Sequence, residues 1–195
     1  MAKHISTLDQ YGLTGEKKEE GLFTCAVYYP LLEHEGMDAV IAEKVNAYLA
    51  SAKEGVDPSA QLQEGQQPEA LLSMDFRSVQ AGTDGNIISV RLFGWSRGAG
   101  EEHPSFFSEC ISFDAATGNQ LTDGDLFIDG YQDKLRELCV AQLAQAYPEQ
   151  NFSLDGYSLD GIASKALLTP EGVELHFASN ELAQVDLGSI SITLP

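Results

Sequence analysis

The chain has 195 residues, 43% of them hydrophobic and 9% aromatic, which is ordinary for a globular fold and excludes a disordered one. Thirty Asp and Glu against eleven Lys and Arg give a net charge of −19, a field that repels nucleic acid and anionic membrane and steers basic partners inward. No run approaches the ~18–20 apolar residues that span a bilayer. No hydrophobic stretch follows Met1-Ala2-Lys3-His4 as a signal peptide requires, so the chain is expected to be cytosolic or to begin after an export segment.

Residues 1–21, which include Glu16-Lys17-Lys18-Glu19-Glu20, read as a polar lead-in. Phe23–Tyr29 alternates β-prone residues, and Pro30 restricts the end of that strand. Between Asp38 and Lys53 the apolar residues Ile41, Val45, Tyr48 and Leu49 recur at helical spacing. Residues 55–68, rich in Gln, Gly, Pro and Glu, read as a loop. Ser73–Gln80 and Ile87–Trp95 flank Thr83-Asp84-Gly85-Asn86, which predicts a hairpin. Phe106–Phe113 forms a third strand of this group. Residues 130–147 predict a second helix, with Tyr131, Leu135, Leu138, Cys139, Leu143 and Ala146 on one face. Lys165–Leu168 and Val173–Phe177 flank the turn Thr169-Pro170-Glu171-Gly172, and Ser189–Leu194 closes the chain as a strand. Grouped strands with two helices between them predict an α+β fold rather than a βαβ repeat.

The charge is uneven: residues 101–195 hold three basic side chains (Lys134, Arg136, Lys165) against sixteen acidic ones. Cys25, Cys110 and Cys139 are far apart, with no CxxC and no Cys/His pairing at ligand spacing, and are expected as buried free thiols.

Gly94-Trp95-Ser96-Arg97-Gly98 is a literal G-x-S-x-G, which in α/β-hydrolases lifts a nucleophilic serine on a strand-to-helix turn. The following residues 99–104 are too broken by Gly and Pro to open a helix. There is no HGGG-type oxyanion loop. A serine esterase using Ser96, with Asp160 or Asp186 and His176 as partners, is therefore a remote alternative. Asp123, Asp125 and Asp129 suggest a calcium loop, but Phe127 and Lys134 stand where oxygen ligands belong. Asp129 reads instead as an acid near the start of the second helix. Glu101-Glu102-His103 reads as a solvated loop, and the histidines at 4, 34, 103 and 176 lack zinc-ligand spacing. Neither a metal nor a cofactor is expected.

One run carries more information than these. Phe113-Asp114, Thr117-Gly118, Leu121-Thr122 and Asp125-Leu126-Phe127 resemble the "FD-x-x-TG-x-x-L-T-x-x-DLF" pattern of the RsiV-like domain family. Other segments follow in order. Tyr29-Pro30 with Val45-Asn46 is similar to the family's "YP…IN" opening, and Ser89–Trp95 with Gly98, Ala99, His103 and Pro104 to its "SY-x-x-GGAHP" loop. Leu168–Val173 is similar to the "LT-x-x-GL" hairpin. Glu181-Leu182-Ala183 with Gly188 and Ile192–Pro195 is similar to the closing "EIAPYAxG…V-x-IP". The likeness covers residues 22–195. Arg97, Glu101 and Glu102 depart from the family's loop, and Ala183-Gln184-Val185 replaces "APY".

The resemblance implies an extracytoplasmic location and two abutting subdomains, residues 22–112 and 113–195, each with a mainly antiparallel sheet and a packed helix. It implies no catalysis by the domain itself. Family members include the sensor region of a lysozyme-sensing anti-sigma factor and an extracellular region of a peptidoglycan deacetylase. The expected function is therefore recognition of a basic protein such as lysozyme, or of a cell-wall component. The alternative is a structural or accessory module for a cell-wall enzyme. The residues expected to touch the partner are Trp95, Arg97, Glu101, Glu102, His103 and Phe106, since a Trp with a polar rim makes an interface anchor. Trp95 reads equally as a core residue.

Overall fold

The computed structural model describes residues 19–20, 22–57, 59, 63–64, 66–82, 85–152, 154–178, 181–182 and 189–194. Its described elements run β1 (Glu19–Glu20), β2 (Phe23–Val27), α1 (Glu35–Ala52), β3 (Ala70–Ala81), β4 (Ile87–Arg97), β5 (Ser105–Asp114), β6 (Gln120–Leu121), α2 (Asp123–Leu126), α3 (Tyr131–Ala146), β7 (Ala166–Thr169), β8 (Gly172–Phe177) and β9 (Ile190–Leu194), with a 3-10 turn at Ile162–Lys165. The fold is α+β, with one six-stranded sheet in the order β1-β2-β3-β4-β5-β6 and one three-stranded sheet in the order β7-β8-β9.

The first sheet is mixed. β2 and β3 pair in parallel, Phe23 opposite Ala70 and Val27 opposite Met74, because α1 returns the chain to the edge from which β2 began. The expected lead-in ends in strand: β1 pairs antiparallel with β2, Glu19 opposite Thr24. Residues 1–18 of that lead-in lie outside the described residues, as do Thr83 and Asp84 of the predicted hairpin turn and Ala183, Gln184, Val185, Asp186, Gly188 and Pro195 of the closing segment. Where the turn resumes, the Gln80 side-chain amide donates to the Gly85 carbonyl at 2.8 Å.

The residues divide into two compact units, both discontinuous in sequence. One comprises Ser78–Arg91 with the described residues from Ser108 onward; the other comprises the described residues up to Arg77 with Leu92–Phe107. In the latter unit α1 buries Met37, Ile41 and Val45, one stripe at a spacing of four residues. The Asp38 carboxylate accepts the N–H groups of Leu32 at 2.7 Å and His34 at 3.1 Å, which satisfies donors at the start of the helix. The β2 residues Phe23, Cys25 and Val27 are buried while Thr24 and Ala26 are half-buried. That is the alternation of a sheet with one covered face.

In the former unit β8 pairs antiparallel with both β7 and β9. Val173, Leu175 and Phe177 share a face with Leu194, Ile192 and Ile190, their cross-strand partners. Leu135, Cys139 and Leu143 of α3 join that cluster with Phe152, Leu154, Leu159 and Ile162. Each fully buried side chain of Leu or Phe size contributes about 1.5–3 kcal/mol. Asp129 directly precedes the start of α3, as its sequence position implies, and no side chain caps the helix. Gly130, in the left-handed conformation at φ 76°, is the N-cap.

Candidate recognition site

The three strand-borne members of the predicted contact set, Trp95 and Arg97 on β4 and Phe106 on β5, sit either side of the Gly98–Pro104 connection that carries Glu101, Glu102 and His103. All six residues belong to one unit. The connection is a tight turn. Gly98 N–H donates to a Glu101 carboxylate oxygen at 2.7 Å, Glu101 N–H donates back to the Gly98 carbonyl at 3.2 Å, and Gly100 takes φ 80°. Glu101 therefore closes its own loop. Arg97 also acts internally: its guanidinium donates to the Pro68 carbonyl at 2.9 Å and fixes the approach to β3. Trp95 is half-buried, between the two readings its sequence allowed, whereas Glu102, His103 and Phe106 are exposed. At 53% exposure Phe106 is one of the few large apolar side chains on the surface.

The G-x-S-x-G pattern resolves into sterics. Ser96 lies within β4, and a turn and another strand follow it rather than the helix that a nucleophile elbow needs. Gly94 is not at a turn. A Cβ there would lie 2.0 Å from the Ser73 carbonyl oxygen, so glycine is required by the close approach of β3. His176 is buried, its Nδ1 is 2.7 Å from the Ser191 hydroxyl, and its Nε2 is 3.6 Å from the Glu174 carboxylate. His176 and Ser191 are cross-strand neighbours on β8 and β9, a pairing no sequence spacing announces.

The aspartates that resembled a calcium loop hold backbone instead. Asp123 accepts the N–H groups of Gly161 at 2.6 Å and Ala163 at 2.8 Å, and the Tyr131 hydroxyl at 2.8 Å. Burial pushes its carboxyl up, but the hydrogen bonds from Ala163, Tyr131 and Gly161 outweigh burial and hold it below the ordinary range. Asp125 forms a capping box with Thr122 over α2. Asp114 folds the Thr117-Gly118 turn by accepting the Thr117 N–H at 2.7 Å and hydroxyl at 2.8 Å, with Gly118 at φ 73°. Among the described residues no three His, Cys, Asp or Glu side chains are grouped to share a metal ion. No described helix is long and apolar enough to cross a membrane.

The thiols are free and buried. Burial pushes Cys110 up to about 12 and Cys139 up to about 11, far from the thiolate chemistry of reactive cysteines.

No protein-family model and no curated protein matches the chain. Solved structures do, among them two DUF3298 family proteins. A member of the DUF3298 family from Bacteroides fragilis superposes with a TM-score of 0.59 at 13% identity, over 99% of this chain and 92% of its own. A DUF3298 family protein from Pseudomonas aeruginosa superposes with a TM-score of 0.57 at 12% identity, over 100% of this chain and 90% of its own. The likeness shows the fold. It extends over nearly the whole chain.

Proposed function

We propose that this chain is a non-catalytic, extracytoplasmic recognition domain of the RsiV-like type, and that its partner is a basic protein such as lysozyme. One observation carries the reading. The three basic side chains of residues 101–195 are all engaged internally: Lys134 with Glu137, Arg136 with the carbonyls of Leu154 and Tyr157, and Lys165 with Glu181. The sixteen carboxylates of that segment thus far outnumber the basic groups left to face them, and the field they produce extends outward. Such a field raises the rate of encounter with a cationic partner and rejects anionic ones. Resemblance of the Phe113–Phe127 run to the family, and likeness of the fold to DUF3298 proteins, support the same reading. A cell-wall component presenting amines would satisfy the same electrostatics. Calorimetric titration with lysozyme at low and moderate salt tests the proposal, because attraction of this origin weakens as ions screen it.

A further inference from the structure

We infer that the basic partner docks on the open face of β2, β3, β4 and β5 in the unit that holds the Gly98–Pro104 loop, anchored by Tyr28, Trp95 and Phe106. The inference rests on the recognition reading above and names the surface that serves it.

The two faces of this part of the sheet are unequal. Tyr48 of α1 stacks on Phe107 with ring centroids 4.2 Å apart, and Lys53 at the end of α1 lies 5.1 Å above the Phe23 ring. Phe107 and Phe23 therefore mark the face that α1 covers. Successive side chains on a strand point to opposite sides, so Phe106 on β5 and Thr24 and Ala26 on β2 point away from the helix. Tyr28 continues the β2 alternation, its N–H donating to the Met74 carbonyl at 3.0 Å beside the Val27–Met74 pair. On β4, Trp95 lies three residues from the fully buried Leu92 and so on the opposite face. Gly94 lets β4 press against β3 at Ser73 and Met74, and Trp95 follows directly on that close approach. The result is a shallow face with Tyr28 at 40% exposure, Phe106 at 53% and a half-buried Trp95 between their strands.

Charge identifies the occupant. Every described Lys and Arg of this unit (Lys44, Lys53, Arg77, Arg97) is half-buried, whereas Glu69, Asp75, Glu101 and Glu102 around the face are exposed. The Arg97–Pro68 bond brings Glu69 to the same end of the sheet as the Gly98–Glu101 turn. Arg77 and Arg97, which alternation puts on the same face as Asp75 and Trp95, are half-buried, and Arg97 is held on the Pro68 carbonyl. Aromatic rings bordered by exposed carboxylates suit a polypeptide that presents Lys and Arg side chains. The rings attract cations through their π faces, and their neighbours supply the counter-charge.

Lysozyme at low ionic strength is the probe. Tyr28→Ser with Phe106→Ser should weaken its affinity by about tenfold or more, as removal of interface anchors does. Ile128→Ser, which removes an exposed apolar side chain of the other unit, should leave the affinity within about twofold of wild type. Both altered sites are exposed, and an unchanged urea midpoint confirms the fold of each variant. Trp95 is the chain's one tryptophan. Fluorotryptophan labelling therefore gives it a single fluorine resonance, which should move when unlabelled lysozyme is added. Binding that persists in the double variant, or that leaves the fluorine resonance in place, overturns the docking face and spares the recognition reading. Failure of the wild-type protein to bind lysozyme overturns both.

Discussion

Phe107 stacks on Tyr48 with 4.2 Å between ring centroids, and that contact decides which way its neighbour Phe106 points. With one ring spent on the helix, strand alternation leaves the next ring to solvent. The Gly98–Pro104 loop is in turn held by its own Glu101, so Glu102, His103 and Phe106 are presented from a rigid base.

Asp123 should be the most consequential carboxylate of the Phe113–Phe127 corner. It joins α2 to the 3-10 turn through the N–H groups of Gly161 and Ala163. Asp123→Ala strands those donors and should lower the unfolding free energy by about 1–3 kcal/mol in urea titrations. Asp114→Ala and Asp125→Ala, at exposed turns, should cost less. Because the folded state depresses the Asp123 pKa below its ordinary 3.8, its stabilisation is fully present above that value and is lost as pH falls through the depressed one. Wild type and Asp123→Ala should therefore differ in stability at neutral pH, and the difference should shrink as acid protonates Asp123 below its depressed pKa.

Gly94 and Gly100 should respond differently to alanine. At Gly94 the new Cβ would overlap the Ser73 carbonyl, which forces backbone to move and should cost about 1–3 kcal/mol or more. At Gly100 nothing lies within 4 Å and only the φ of 80° resists, at about 1–2 kcal/mol. Thermal denaturation of the two variants measures the difference, and a Gly94→Ala protein as stable as wild type would contradict the close approach of β3 and β4.

The three thiols should be unreactive toward a disulfide reagent in the native protein and should all react in denaturant. Cys25, Cys110 and Cys139 are each buried, and burial keeps Cys110 and Cys139 protonated at neutral pH. Rapid native labelling of any one of them would show that its surroundings open.

A fluorophosphonate probe should leave the protein unlabelled. Ser96 lies within a strand, and the Ser191 hydroxyl is held in a cross-strand pair with His176. Labelling that disappears in Ser96→Ala, or in Ser191→Ala, would contradict the non-catalytic reading and identify the nucleophile.

Much of the fold was legible because its periodicities are strong. α1, α3 and the β3, β4 and β5 strands fall within a few residues of where apolar spacing puts them. Alternation alone does not reveal which strand a strand pairs with, so the parallel β2–β3 ladder went unread. Two-residue strands such as β1 and β6 are too short to carry a period. The Asp123 cluster looked like metal ligands because its partners, 38 and 40 residues away, are backbone N–H groups that leave no trace in side-chain spacing. Asp129 stands just before α3, where sequence places it, while the N-cap is Gly130, whose left-handed backbone makes the turn itself. In the candidate site, sequence singles out a loop but not the division of labour within it. Arg97 and Glu101 spend their polar groups on Pro68 and Gly98, and Tyr28, distant in sequence, joins only through the sheet.

The most direct test of the recognition reading is lysozyme affinity as a function of salt. The proposal predicts measurable binding at low ionic strength that weakens steeply between about 20 and 200 mM salt, as the Debye length contracts below the spacing of the surface charges. Absence of binding at low salt, or an affinity indifferent to salt, would contradict a recognition domain that works through its net charge of −19.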